Sequence, residues 1–222
     1  MIDRPTPAIE ASGDSHLLRL AAIMRRLRVE CPWDAEQTHR SLAKHLIEET
    51  AEVIDALESG ADEHDINDHD LREELGDVLL QIYFHAEIAS GQDRFDIEDV
   101  ARGVSDKLVR RHPWVFAGED NPDDMMGTWE AAKLSEKRRE SALEGIPNSL
   151  DALARAAKVV SRTRHVHLPV EMAVEPITAE QVGEQILAIV QRAQASGIDA
   201  DQATRDALRT LEQRVRQAEQ ST

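Results

Sequence analysis

An all-α fold is what this sequence predicts, on three observations. Aromatic residues make up only 3% of the chain and alternating β-branched runs are almost absent, which leaves little from which to build a sheet. Apolar residues recur instead at spacings of three and four. The periodic segments are separated by helix stops at Gly60, Gly91, Pro113 and Gly197, and by capping-box spacings at Asp34/Gln37, Asp70/Glu73 and Thr178/Gln181. The expected architecture is an antiparallel helical bundle in a chain of 222 residues, long enough for one helical domain with a substantial core plus a smaller part.

In chain order, residues 1–15 read as a flexible tail rich in Ala and Pro. His16 to Val29 is a first amphipathic helix, with Leu17, Leu20, Met24 and Leu27 on one stripe. Cys31-Pro32-Trp33-Asp34 breaks it, and Asp34 with Gln37 opens a short helix. Cys31 reads as a packed thiol, while Trp33 reads equally as a core lid or as a flat face for a nucleobase. A helix follows over Ser41–Ser59, then an exposed loop over Ala61–Asp70 whose His64 and His69 read as solvated. A second long helix runs over Leu71–Ser90, opened by Asp70/Glu73, and a third over Asp96–Arg111. Pro122–Glu140 is a further helix. Gly145-Ile146-Pro147-Asn148 is the candidate domain boundary, dividing a domain over 16–145 from a helical region over 146–222. In that region Ser149 caps a helix to His165, Thr178/Gln181 caps another, and Asp201–Gln220 is the last.

The chemistry concentrates between Glu48 and Asp77. The stretch Glu48-Glu49-Thr50-Ala51-Glu52 lies on one predicted helix and Glu73-Glu74-Leu75-Gly76-Asp77 on the next. Residues three or four apart share a helix face, so Glu49 projects with Glu52, and Glu74 with Asp77. Set opposite one another, the two pairs gather four carboxylates, which resist common ionisation unless a cation lies between them. All-oxygen ligands suit Mg²⁺, with Mn²⁺ as the other candidate. The bland reading is a solvated acidic face. Against it, apolar residues flank the acids on both helices and few basic residues follow at i+4.

These motifs resemble the MazG family of nucleoside triphosphate pyrophosphohydrolases. The same order holds for Cys31-Pro32-Trp33-Asp34, the acidic pairs, Asp106-Lys107-Leu108-Val109-Arg110-Arg111-His112-Pro113 and Trp129-Glu130-Ala131-Ala132-Lys133, so the likeness covers roughly residues 16–140. It implies a helical core completed by dimerisation, and hydrolysis of NTP or dNTP by water at the α-phosphorus to give the monophosphate and pyrophosphate. The duty it suggests is the clearing of normal or damaged nucleotides. It also implies metal ligands at Glu49, Glu52, Glu74 and Asp77, with Glu48 beside them as a candidate to orient or deprotonate water. The remaining implied contacts are nucleotide contacts from Lys107, Arg110 and Arg111, and substrate contacts from Trp129, Lys133 and Trp33. Without the resemblance, the basic trio reads either as complementation of a helix C-terminus or as a clamp for phosphate oxygens, for which Arg is well shaped. The C-terminal region resembles a degenerate second repeat: Glu180-Gln181-Val182-Gly183-Glu184 compares with Glu73–Asp77, but no second EExxE segment accompanies it.

Composition narrows the alternatives. A net charge of −17 argues against a general nucleic-acid binder, which needs clustered Lys and Arg. It also means that a triphosphate requires metal, since like unit charges at 4 Å repel by about 4 kcal/mol even at an effective dielectric of 20. A single cysteine leaves no disulfide or multi-cysteine zinc site to form. No apolar run approaches a membrane span and no signal core is evident, so the expectation is a cytoplasmic protein. Two other readings stay open. One is a non-enzymatic helical interaction module. The other is a di-metal carboxylate protein, for which Glu36-Gln37-Thr38-His39 supplies the one Glu-x-x-His word.

Overall fold

The computed structural model describes residues 15–62, 64–136 and 140–221; the predicted tail at 1–14 and the end of the predicted helix Pro122–Glu140 lie outside them. Every regular element among the described residues is helical, as the composition predicts. The elements are α1 (His16–Glu30), α2 (Pro32–Glu36), α3 (Ala43–Glu58), α4 (Asp68–Ser90), α5 (Ile97–Arg111), α6 (Pro113–Phe116), α7 (Met125–Glu136), α8 (Ala152–His165), α9 (Ala179–Ala195) and α10 (Ala200–Gln220). The chain divides into two compact units, one ending at Leu108 and the other beginning at Val109.

In the first unit α3 and α4 form the dominant pair, and α1 packs on both α2 and α4. The short connection between α3 and α4 makes them an antiparallel hairpin. Ala21 and Met24 of α1, Leu42 before α3, and Tyr83, Phe84 and Ile88 of α4 build the core, with Leu20, Leu79, Leu80 and Ile97 packed against it. Gly60 serves the turn out of α3: a Cβ there would lie 2.3 Å from the backbone oxygen of Asp65, too close for any other residue.

Several helix starts differ from the predicted ones, each for a local reason. The short helix begins at Pro32, where a missing N–H costs nothing. Asp34 therefore lies inside its first turn, with its backbone oxygen held by Arg28, and Gln37 ends the helix by donating Nε2 to Trp33 O at 3.0 Å. Ser41 does not begin α3, because Thr38 and Ser41 close a turn on each other, backbone N to hydroxyl oxygen, at 2.9 and 3.1 Å. α4 opens at Asp68, because Asn67 accepts from the His69 N–H at 3.1 Å and draws Asp70 to its own amide at 2.8 Å. Asp96 behaves as predicted, exchanging reciprocal bonds with Asp99 at 3.0 and 3.2 Å ahead of α5.

In the second unit Ala142, Leu143, Ile146, Val159, Leu208 and Val215 form the core. Buried Arg162 donates to the carbonyls of Ala142 and Glu144, and Arg155 donates to those of Ile146 and Pro147. The 145–148 stretch is thus fastened into this core. Asp124 accepts from Gly127 N at 2.8 Å at the start of α7, and Asp151, in place of the predicted Ser149, caps α8 by accepting from Ala154 N at 2.9 Å. The predicted Thr178/Gln181 box is present with both of its bonds, at 3.1 and 3.2 Å. Gly197, at φ +70°, turns the chain out of α9, a backbone conformation that glycine adopts without strain.

Candidate active site

The α3–α4 hairpin brings the two acidic pairs together. One carboxylate oxygen each from Glu49, Glu74 and Asp77 lies within 4.8 Å of the others, and all three side chains are half-buried. Antiparallel packing explains the pairing. Glu49, the earlier acid on α3, feels Asp77, the later acid on α4, and Glu74 feels Glu52 across the pair of helices. Glu52 is exposed and stands beside the trio as a neighbour of both Glu49 and Glu74.

The electrostatics is that of uncompensated negative charge. Partial burial raises the Glu49 carboxyl above its usual range, and Asp77 and then Glu52 raise it further. Partial burial likewise raises Glu74, followed by Glu52 and Asp77. Apart from burial, every group that moves these two acids is another carboxylate. Such a cluster holds a free energy of repulsion that a cation relieves.

One helical turn before Glu49, His45 Nδ1 is hydrogen-bonded to Glu48 Oε2 at 3.0 Å. Glu48 itself is exposed, and so is Trp33, whose ring meets His45 and Phe84 edge-on with centroids 6.2 Å apart in each case. Both readings of Trp33 find a counterpart: one edge closes over Phe84 while 54% of the residue remains open. The sequence singled out Glu48 but not His45. Their i, i+3 spacing on α3 was the signal available.

The second unit holds Arg110, Arg111, Trp129 and Lys133. Arg111 is buried and Arg110 exposed, and both donate to Glu136, with Arg110 Nε on Oε1 at 2.7 Å and Arg111 Nε on Oε2 at 2.9 Å. Lys133 Nζ lies 3.3 Å from the centroid of the Trp129 ring and the Arg111 guanidinium carbon 5.8 Å from it. The Trp129 indole N–H is buried with no hydrogen-bond partner among the described residues. Hydrogen bonds from Arg111 and then Arg110 hold the Glu136 carboxyl down at about 2. Sequence reasoning missed Glu136 altogether, although it lies seven residues after Trp129 and three after Lys133, on the same face of α7. Lys107 is half-buried on α5.

The residues behind the di-metal alternative do not share a helix. Glu36 ends α2, whereas His39 lies beyond it, its Nδ1 2.8 Å from His85 Nδ1 and its ring stacked on that of His85. His64 and His69 are exposed, as expected, with His69 Nδ1 3.4 Å from Asp70. Cys31 is half-buried and free. Among the described residues no helix is long and apolar enough to cross a membrane.

The chain is similar to known proteins along most of its length. Residues 37–116, which contain all four acids and the basic end of α5, match the MazG nucleotide pyrophosphohydrolase domain. The chain is 38% identical over 217 residues to a nucleoside triphosphate pyrophosphohydrolase of Mycobacterium tuberculosis, a match covering 96% of this chain and 61% of that protein. It is 37% identical over 232 residues to the nucleoside triphosphate pyrophosphohydrolase of Escherichia coli K12, covering 90% of this chain and 86% of that one. It is also 34% identical over 223 residues to the nucleoside triphosphate pyrophosphohydrolase/pyrophosphatase MazG of Thermotoga maritima, covering 90% and 84%. The chain therefore spans less than two thirds of the mycobacterial protein and most of the other two. With paired carboxylates on an antiparallel hairpin inside the matched segment, and with likeness along most of its length, the chain belongs to the MazG nucleotide pyrophosphohydrolase family.

Proposed function

We infer that this chain hydrolyses nucleoside triphosphates, ribo or deoxyribo, between the α and β phosphates, releasing the nucleoside monophosphate and pyrophosphate. The observation that carries this is the gathering of Glu49, Glu74 and Asp77 oxygens within 4.8 Å, with no basic group among the causes that move the Glu49 and Glu74 carboxyls. The likeness to nucleoside triphosphate pyrophosphohydrolases supports the reaction class.

The donor set fits a hard divalent cation. It is all oxygen, formally anionic and contributed by two packed helices. Glu49, Glu74 and Asp77, with Glu52 beside them, are the residues that would hold Mg²⁺ or Mn²⁺. When bound, such an ion neutralises phosphate oxygens and lowers the pKa of water. The chain's own groups do the rest. The acids fix where the α-phosphate lies. Glu48, exposed at the same end of the cluster, is the candidate to orient the attacking water. Trp33 offers an open aromatic face to a base. Lys107, Arg110 and Arg111 are assigned to the phosphate chain and Trp129 and Lys133 to the substrate. Because Arg110 and Arg111 already share Glu136, a phosphate must compete with that carboxylate for them.

A homodimer is part of this proposal. The first unit leaves Ile47, Ile54 and Leu57 of α3 and Leu75 and Ile82 of α4 exposed, an apolar surface that a second subunit would cover. The region over 146–222 is assigned as a degenerate repeat without catalysis, and the setting as the cytoplasm, where nucleotides are cleared. A panel of normal and oxidised nucleoside triphosphates, with pyrophosphate and orthophosphate measured separately, tests the reaction. Pyrophosphate is expected, and orthophosphate with a nucleoside diphosphate would overturn it.

A further inference from the structure

We propose that His45 is a specificity-determining residue that accepts a hydrogen bond from a sugar hydroxyl of the nucleoside triphosphate. It rests on the triphosphate assignment above. Three observations of the first unit carry it. The first is position. His45 lies four residues before Glu49 and seven before Glu52 on α3, so all three share one stripe, with His45 about one 5.4 Å turn beyond the acids. Its ring in turn meets Trp33, with centroids 6.2 Å apart. The order along this face is acid cluster, His45, Trp33. A nucleotide has the same order: phosphate, sugar, base. With the α-phosphate at the acids and the base on the exposed face of Trp33, the group that reaches His45 is the sugar.

The second observation is the hydrogen bond to Glu48. A carboxylate only accepts, so the bond of 3.0 Å places the imidazole proton on Nδ1. In that tautomer Nε2 is the acceptor nitrogen, and the His45 side chain is 28% exposed, open to a ligand. A sugar hydroxyl is the complementary donor. Glu48 thereby acquires a role that the acidic motif alone does not suggest, that of fixing the tautomer of its neighbour.

The third observation is the chemistry of the adjoining layer. Gln81 lies four residues after Asp77 on α4, and antiparallel packing carries it to the same end of the acid cluster as His45. It is buried, and its Oε1 has no hydrogen-bond partner among the described residues. The two helices thus change from carboxylates at the Glu49 level to an imidazole and an amide one turn further on, as a ligand that changes from phosphate to sugar requires. Polar atoms left unpaired at such depth are uncommon, and each calls for an explanation.

The test compares a ribonucleoside triphosphate with its 2′,3′-dideoxy counterpart on the full-length protein and on His45→Phe, which keeps a ring against Trp33 and removes the acceptor. Thermal unfolding of each protein verifies the fold, and His45→Leu repeats the comparison should the phenylalanine variant fail to fold. The expected result is a KM for the ribonucleotide raised roughly 3- to 10-fold, the size of one neutral hydrogen bond, with any change in kcat through the released Glu48 equal for the two nucleotides. The KM for the dideoxynucleotide stays where it was, because the lost acceptor had no donor there. His45→Gln, which restores an acceptor at similar reach, recovers part of the discrimination. An equal rise for both nucleotides, or no rise for either, overturns the proposal while leaving the triphosphate assignment standing. No pyrophosphate from any triphosphate with the unsubstituted protein overturns both.

Discussion

Asp77→Asn separates stability from metal affinity in opposite directions. The substitution keeps the side-chain shape and removes one charge from a cluster whose oxygens lie within 4.8 Å. Two unit charges at that distance repel by about 3.5 kcal/mol at an effective dielectric of 20 and by about 0.9 kcal/mol in water. Glu49 and Asp77 are only half-buried, so solvent screening brings the relief of their repulsion to about 1 kcal/mol. Without divalent cations the variant should therefore unfold about 2–4 °C above the parent. With Mg²⁺ the order should reverse. A ligand at 100 times its dissociation constant stabilises the folded state by about 2.7 kcal/mol, and the parent gains this while the variant, short of one ligand, gains little. Calorimetric melting of both proteins in EDTA and across a Mg²⁺ titration measures both effects without reference to activity. A variant that melts below the parent in EDTA and responds equally to Mg²⁺ would refute the reasoning, since the acids would then be an ordinary solvated face.

Three further outcomes are expected. Glu136 titrates at about 2 in the folded chain, down from an ordinary 4.5, so the stability it contributes is complete above about 4.5 and is lost as the pH falls from there to about 2; Glu136→Gln should be the less stable protein near neutrality and show a shallower acid transition in that window by circular dichroism. Met24 is fully buried at the centre of the first core, so Met24→Ala should cost about 2–5 kcal/mol in urea unfolding of that unit, and a loss below 1 kcal/mol would mean that the site collapses on itself. Hydrolysis in ¹⁸O-water should label the nucleoside monophosphate and leave pyrophosphate unlabelled by mass spectrometry; label in pyrophosphate would place attack at the β-phosphorus.

The sequence by itself determined what depends on neighbours along the chain. Helical periodicity is local, so the all-α class and the sharing of a face by Glu49 with Glu52, and by Glu74 with Asp77, follow from spacing alone. The Thr178/Gln181 box was legible for the same reason. The caps that were misread show the limit of local pattern. Asp34/Gln37 and Asp70/Glu73 have the right spacing, but Pro32 and Asn67 lie upstream and claim the helix starts first. Only the tertiary structure decided what faces what across the chain. It set Glu49 against Asp77 and Glu52 against Glu74, because the α3–α4 hairpin runs antiparallel. It turned Arg110 and Arg111 from a free-standing basic word into a pair held by Glu136, 25 residues further on. That contact follows from the path of the chain into α7, and no helical period reaches so far. It also left His45 between the acids and Trp33, where the ring contact depends on how α2, past the break at Cys31-Pro32, packs on α1. Charge and periodicity are properties of the chain; the partner that each charged group finds belongs to the packing.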